Sequence, residues 1–181
     1  GDRFGSSVSL NNVGNRLAVG ALSGDGSGDS ISSAGEVHLF SFTDADFSGG
    51  NLEGTIGHGF TGGKNVDIST ELDQDNFGGA VSLNASGDRL AVGAAGGDGS
   101  GNVASNTGEV YLFSFTDTSF SGGALEGTIG SGFTGGKNVN INANLDDFDL
   151  FGRSVSLTRV GDRLAVGARG ADGSSNSSSG S

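Results

Sequence analysis

Acidic and amide side chains in three glycine-rich loops are the residues of this sequence best suited to bind a ligand. The loops read GDGSGD at residues 24–29, GDGSGN at 97–102 and ADGSSN at 171–176. Each loop holds two oxygen-bearing side chains at the same spacing, and Ca²⁺ takes about six to eight oxygen ligands. The candidate calcium ligands are Asp25, Asp29, Asp98, Asn102, Asp172 and Asn176. The alternative is a solvated turn, because Asp, Gly and Ser are ordinary turn residues.

A second acidic group precedes each later copy of a Phe-Gly pair in the chain. Its members are Glu71, Asp73, Asp75, Asp146, Asp147 and Asp149. A carboxylate at this place can accept backbone N–H bonds and fix the junction between two units. A glycosidase with paired carboxylates is the alternative. We favour the structural role, because an active site is needed once and these acids recur.

The two histidines do not recur in the way that the acids do. His38 and His58 are matched by Tyr111 and Ser131 one repeat later. Two isolated histidines make no catalytic triad, and the sequence has no G-x-S-x-G elbow. We therefore predict that the protein is not an enzyme.

Lys64 and Lys137 are the two lysines, and each is followed by an asparagine. We expect each lysine to pair with a nearby acid. A Lys–Asn crosslink, which would staple a chain without cysteine, is the alternative.

A tandem repeat organises these residues. The pairs that begin at Phe4, Phe77 and Phe151 start three copies of one unit, and RLAVGA recurs at Arg16–Ala21, Arg89–Ala94 and 163–168. We predict one repeat at residues 1–76, a second at 77–150 and a partial third at 151–172, followed by a flexible Gly/Ser tail at 173–181.

Each unit has the pattern of four short antiparallel strands and no helix. SSVSL alternates small polar and apolar residues, RLAVGA returns after a tight turn, EVHLFSF follows a long loop, and NLEGTIG is a weaker fourth strand. A repeated four-stranded meander is typical of a β-propeller blade. The sequence therefore predicts an all-β chain of propeller-type blades in tandem. A calcium-binding solenoid is the rival fold, but its nonapeptide period is absent.

The ordered motifs FGSSVSL, NRLAVGA and GEVHLF resemble the FG-GAP repeat, the blade motif of integrin α-chain propellers. They are most similar to the bacterial short-loop variant of large surface and adhesin-type proteins. The resemblance implies a propeller blade and a role in cell adhesion. It does not imply the integrin-type calcium site, because the turns at 11–15, 84–88 and 158–162 are too short to wrap Ca²⁺.

Charge and composition narrow the functional class. The net charge of −12 repels phosphate backbones, so we expect no nucleic-acid partner, and no apolar run is long enough for membrane insertion. We expect an extracellular or cell-surface binding or adhesion module with a protein or glycan ligand. The alternative is a structural subunit of an extracellular filament or sheath. In either case, open strand edges would be completed by neighbouring blades of a longer chain or by homo-oligomers.

Overall fold

A computed structural model describes residues 1–172 as three antiparallel β-units in chain order. The predicted tail at 173–181 lies outside the described residues. The strands are β1 (Phe4–Leu10), β2 (Arg16–Ala21), β3 (Glu36–Ser41), β4 (Asn51–Gly57), β5 (Val66–Asp67), β6 (Phe77–Leu83), β7 (Arg89–Ala94), β8 (Glu109–Ser114), β9 (Ala124–Gly130), β10 (Val139–Asn140), β11 (Phe151–Leu157) and β12 (Leu164–Ala168). The first unit contains β1–β5, the second β6–β10 and the third β11–β12.

The predicted four-stranded antiparallel meander is confirmed in the first two units. Their strands pair in sequence order, and each first strand carries an irregularity directly after its Phe-Gly pair. The positive φ of Gly5 and Gly78, +86° and +83°, explains why glycine stands at this bulge.

Each complete unit also has a fifth strand that was not predicted. β5 pairs parallel to β4, and β10 pairs parallel to β9. These strands have only two residues each, so they carry no readable alternation. The chain can return beside β4 because Gly54 has no Cβ, which would lie 2.5 Å from the carbonyl oxygen of Lys64.

A side-chain cap closes each tight turn between the first two strands of a unit. Asn11 Oδ1 accepts from the N–H groups of Asn15 and Arg16, and Asn84 Oδ1 accepts from Gly87 and Arg89. These side-chain hydrogen bonds stabilise the turns.

The units stack front to back. The front face of each unit carries its first phenylalanine, and the back face carries the serines of its first strand. Phe77, on the front of the second unit, is fully buried against the back of the first, where its N–H donates to the carbonyl of Ala34 at 3.0 Å. One hydrophobic core therefore runs through both units and includes Val37, Leu39, Phe77 and Phe113.

The helical content of residues 1–172 is one 3₁₀ turn, Asn142–Asn144. None of the helical structure described has the length and apolar character that crossing a membrane requires.

Candidate functional site

The long loops and the connectors form one continuous surface, which we call the acidic rim. It comprises the loops at 22–35 and 95–108 and the connectors at 68–76 and 141–150. Backbone bonds tie each connector to the chain of the next unit: Gly96 N–H donates to the carbonyl of Asp75 at 3.0 Å, and Gly170 N–H to that of Asp149 at 2.8 Å. The rim is therefore built jointly by successive units.

The first acid of each candidate calcium loop closes the loop itself. Asp25 Oδ1 accepts from Ser33 N–H at 2.8 Å, and Asp98 Oδ1 accepts from Asn106 N–H at 2.6 Å. Asp29 and Asn102 both adopt a φ of 54°, in the left-handed region that Asp and Asn tolerate. The recurring Asp and Asn residues thus have a structural role that the sequence left as the alternative.

The third candidate loop is only partly described. Asp172 is exposed at the end of the described chain, and Asn176 lies outside it. Within residues 1–172, no group of three or more histidine, cysteine or acidic side chains has a metal-binding arrangement. Calcium binding by these loops remains a prediction.

The structure brings one candidate loop onto the preceding connector. Asn102 Nδ2 lies 3.5 Å from Asp73 Oδ2, at the limit of a hydrogen bond. Asp98 is near enough to Asp75 for their charges to interact, which contributes to a raised Asp75 pKa. The sequence showed these acids as two separate groups, because it does not reveal which loop of one unit meets which connector.

Two connector acids accept backbone N–H groups, as predicted, and both bonds lie within one connector. Asp75 and Asp149 are 2% and 5% exposed. Asp75 Oδ2 accepts from Asp73 N–H, and Asp149 Oδ2 accepts from Asp146 N–H, both at 2.9 Å. Burial, followed by the charges of Asp73 and Asp98, raises the pKa of Asp75 to about 6.

A buried acid that the sequence did not single out lies beneath the rim. Glu109 is 2% exposed; it accepts from Tyr111 Oη at 2.7 Å and from Gly99 N–H at 3.0 Å. Tyr111 Oη also lies 3.1 Å from the carbonyl oxygen of Glu71. Burial raises the pKa of Glu109 to about 7, with Asp75 and Glu71 adding like charge. Burial and Glu109 also raise the pKa of Tyr111 well above its ordinary value.

The matching position in the first unit has different chemistry. Glu36 pairs there with His38, whose Nε2 lies 3.0 Å from Glu36 Oε1. The exchange of His38 for Tyr111 was visible in the sequence, but the sequence did not show that the loop at 97–102 packs over Glu109.

Both lysines pair with acids at the end of the sheets that lies opposite the acidic rim. Lys64 bonds to Glu53, and Lys137 bonds to Glu126. The pKa of Glu53 is lowered to about 2, and the hydrogen bond from Lys64 is the largest cause. Lys64 Nζ also donates to the carbonyl of Ser119 at 2.7 Å, which links the first unit to the second. The expected ion pairing is confirmed.

Residues 69–113 match the family model of the FG-GAP repeat. The chain contains an FG-GAP repeat. The matched segment holds the Phe77-Gly78 pair, the strands β6 and β7, the candidate calcium loop at 97–102 and the buried Glu109. No curated protein matches the chain. The family match and the stacked antiparallel sheets together show propeller-type blades.

The acidic rim contains a cavity of about 580 Å³ beside the FG-GAP repeat, between the second and third units. Thr107 and Ser131 contribute to one wall, and the connector acids Asp146, Asp147 and Asp149 to another. Asp147 Oδ1 accepts from Ser105 N–H at 3.0 Å. Asp146 and Asp147 are exposed, so the cavity offers carboxylate groups, and the bond from Gly170 N–H to the Asp149 carbonyl joins the third unit to it.

The arrangement is suited to binding. Carboxylate oxygens of the rim accept hydrogen bonds from the backbone, which fixes them in space before a ligand arrives. Such groups can accept further hydrogen bonds from cationic or hydroxyl-bearing partners.

Proposed function

We propose that this protein is a non-enzymatic binding or adhesion module that works outside the cell or at its surface, and that its ligand contacts the acidic rim. One observation carries the proposal: the long loops of both complete units are bonded to the same connector, because Asn76 N–H donates to the carbonyl of Ser33 and Gly96 N–H donates to that of Asp75. Loops held by a rigid scaffold are a common place for binding residues. The FG-GAP repeat supports this because it is characteristic of a propeller-type module that often binds partners.

The ligand class follows from the chemistry of the rim. Asp73 and Asp147 are exposed, and the chain carries a net charge of −12. Such a surface favours a protein with a basic patch or a glycan rich in hydroxyl groups. It disfavours nucleic acid, whose phosphates would be repelled.

A structural subunit is the second candidate function. Among residues 1–172, strand β12 pairs with β11 alone, and a strand paired on one side can accept a further strand on the other. This observation favours an assembly through strand edges. The outer edges of the two complete units offer less, because each ends in a strand of two residues.

A binding experiment with a charge-matched control tests the proposal. The wild-type protein would be labelled and applied to a printed glycan array and to a panel of purified extracellular matrix proteins. The rim variant replaces Asp73 and Asp147 by Asn, and the control replaces Asp44 and Asp117, which cap hairpins at the opposite end, by Asn.

We expect binding that the rim variant weakens at least fivefold and the control leaves within twofold. Absence of binding to every glycan and protein, or equal loss in both variants, would refute the rim as a binding surface.

A further inference from the structure

A cavity of about 220 Å³ lies beside the acidic rim, where residues of all three units meet. Arg3 and Arg153 both line it, and among residues 1–172 no acidic side chain does. The chain has nine basic residues against 21 acidic ones, so two arginines that share a cavity without a carboxylate depart from the general charge of the surface. The cavity is therefore suited to an anion.

The guanidinium groups of Arg3 and Arg153 are accessible to such a ligand. The ion pairs within residues 1–172 involve His38, Lys64 and Lys137, and neither arginine takes part in them. Both arginines are exposed, so a ligand can reach them from solvent. A guanidinium group is planar and can bind a carboxylate through two parallel N–H bonds. Two such groups on one cavity favour a carboxylate ligand.

A recurring backbone conformation brings Arg3 to this cavity. Arg3, Asn76 and Leu150 each precede a Phe-Gly pair, and their φ angles are 53°, 57° and 57°. All three residues line the cavity. Asn tolerates the left-handed conformation, whereas Arg adopts it at a cost in strain. An arginine held in this conformation indicates a function for its side chain.

Two glycines leave space in the cavity, and neither Gly79 nor Gly96 adopts a left-handed conformation that would itself favour glycine. A Cβ on Gly96 would lie 3.0 Å from Asn76 Oδ1, so glycine keeps this oxygen uncovered. Ser6 and Arg153 stand at the position of Gly79 in the other two units. The fold therefore accepts a side chain at this position, and its absence in the second unit leaves room for a ligand.

The rest of the lining suits a ligand of about the size of one sugar. Asn76 Nδ2 donates to the carbonyl of Leu22 at 3.1 Å, which leaves Asn76 Oδ1 to accept from a hydroxyl group. Asn106 contributes a second carboxamide, and Leu22, Ala95 and Leu150 contribute apolar surface on which ring carbons can pack. A ligand with a carboxylate, hydroxyl groups and an apolar ring face therefore matches the cavity better than a bare inorganic anion.

We propose that this cavity binds a carboxylate-bearing sugar unit of a glycan, a uronic acid. The guanidinium groups of Arg3 and Arg153 bind the carboxylate, and the carboxamides of Asn76 and Asn106 bond to the hydroxyl groups. A single carboxylate suits the site, because the net charge of −12 opposes ligands that carry several negative charges close together. The site includes neither of the two exposed rim acids named above, so it does not depend on the partner of the acidic rim.

Binding of D-glucuronate, measured by isothermal titration calorimetry at low salt, tests the proposal. D-glucose is the matched ligand control, because it has the same ring and lacks the carboxylate, and acetate is the control for a carboxylate alone. Arg3→Gln and Arg153→Gln each remove one guanidinium group. Arg159→Gln is the control variant, because Arg159 is exposed in the turn between β11 and β12 and does not line the cavity.

We expect glucuronate to bind at least tenfold more tightly than glucose or acetate. Arg3→Gln and Arg153→Gln should each weaken glucuronate binding at least fivefold. Arg159→Gln changes the net charge by the same amount and should leave binding within twofold. All three arginines are exposed, so the variants should fold, which far-UV circular dichroism and thermal melting would check.

Four results would overturn the proposal. Absence of glucuronate binding at about 50 mM ligand shows that the cavity does not take the sugar. Equal binding of acetate reduces the site to an adventitious ion only, and equal binding of glucose shows that the carboxylate is not recognised. Equal loss in the Arg159→Gln control and the two cavity variants shows that net charge, rather than the cavity, decides binding.

Discussion

Replacing Glu109 by Gln should remove much of the pH dependence of this protein's stability. Burial raises the pKa of Glu109 from 4.5 to about 7. A carboxyl group with a raised folded-state pKa binds its proton more tightly in the folded protein. Its contribution to the free energy of unfolding is therefore fully present below pH 4.5 and is lost as the pH rises through 7.

The size of the effect follows from the same shift. A change from 4.5 to about 7 corresponds to about 3 kcal/mol of unfolding free energy between pH 4.5 and pH 8. Asp75, whose pKa is raised to about 6, adds an effect of the same sign. The glutamine side chain of the Glu109→Gln variant cannot ionise, yet its amide can still accept from Gly99 N–H and bond to Tyr111. In the variant, the free energy of unfolding should fall less steeply with rising pH, because the part of the pH dependence that Glu109 causes is gone. The variant should also be more stable than wild type at pH 8.

Urea unfolding at pH 5, 6, 7 and 8 provides the assay. Tyr111 is the single tyrosine and the chain has no tryptophan, so intrinsic fluorescence reports on this cluster, and far-UV circular dichroism reports on the sheets. Glu126→Gln is the control, because it removes one charge from a carboxylate whose pKa the bond from Lys137 lowers. An unchanged slope in E109Q, or an equal change in E126Q, would refute the reasoning.

Three further predictions concern stability, and thermal melting measures each of them. Phe77→Ala should cost about 3–5 kcal/mol, whereas Phe4→Ala, at the matching exposed site, should cost under about 1 kcal/mol; similar losses would contradict the assigned packing. Gly93→Ala should destabilise by more than about 2 kcal/mol, because its Cβ would overlap a backbone carbonyl of the third unit, whereas Gly167→Ala should be tolerated. Asn84→Ala should cost about 1–3 kcal/mol, because it leaves Arg89 N–H without its acceptor, whereas Gly87 N–H keeps its bond to the carbonyl of residue 84; an unchanged melting temperature would show that the cap is dispensable.

The strands and their order could be predicted because local patterns specify them. Alternation in SSVSL and the recurring RLAVGA are properties of single strands, and the repeat shows them more than once. The short strands β5 and β10 could not be predicted, because two residues carry no alternation and their pairing depends on where a loop returns.

The candidate site was predictable only in part. The hydrogen bond that Asp75 accepts from the backbone was expected from its place before a Phe-Gly pair. The burial of Glu109 could not be predicted, because it depends on the path of the loop at 97–102, which packs over the side chain. Likewise Asp25 and Asp98 were recognised as loop residues, but their bonds to Ser33 and Asn106 depend on the loop's path.

The serine–leucine contact between units has a consequence for how such a chain can change length. Each unit supplies an acceptor serine behind it and a donor leucine in front, as Ser9 with Leu83 and Ser82 with Leu157 show. An in-frame duplication of about seventy residues thus creates a new junction that already has both partners. Duplication or deletion of whole units can therefore change the length of the array without a compensating mutation at the new junction.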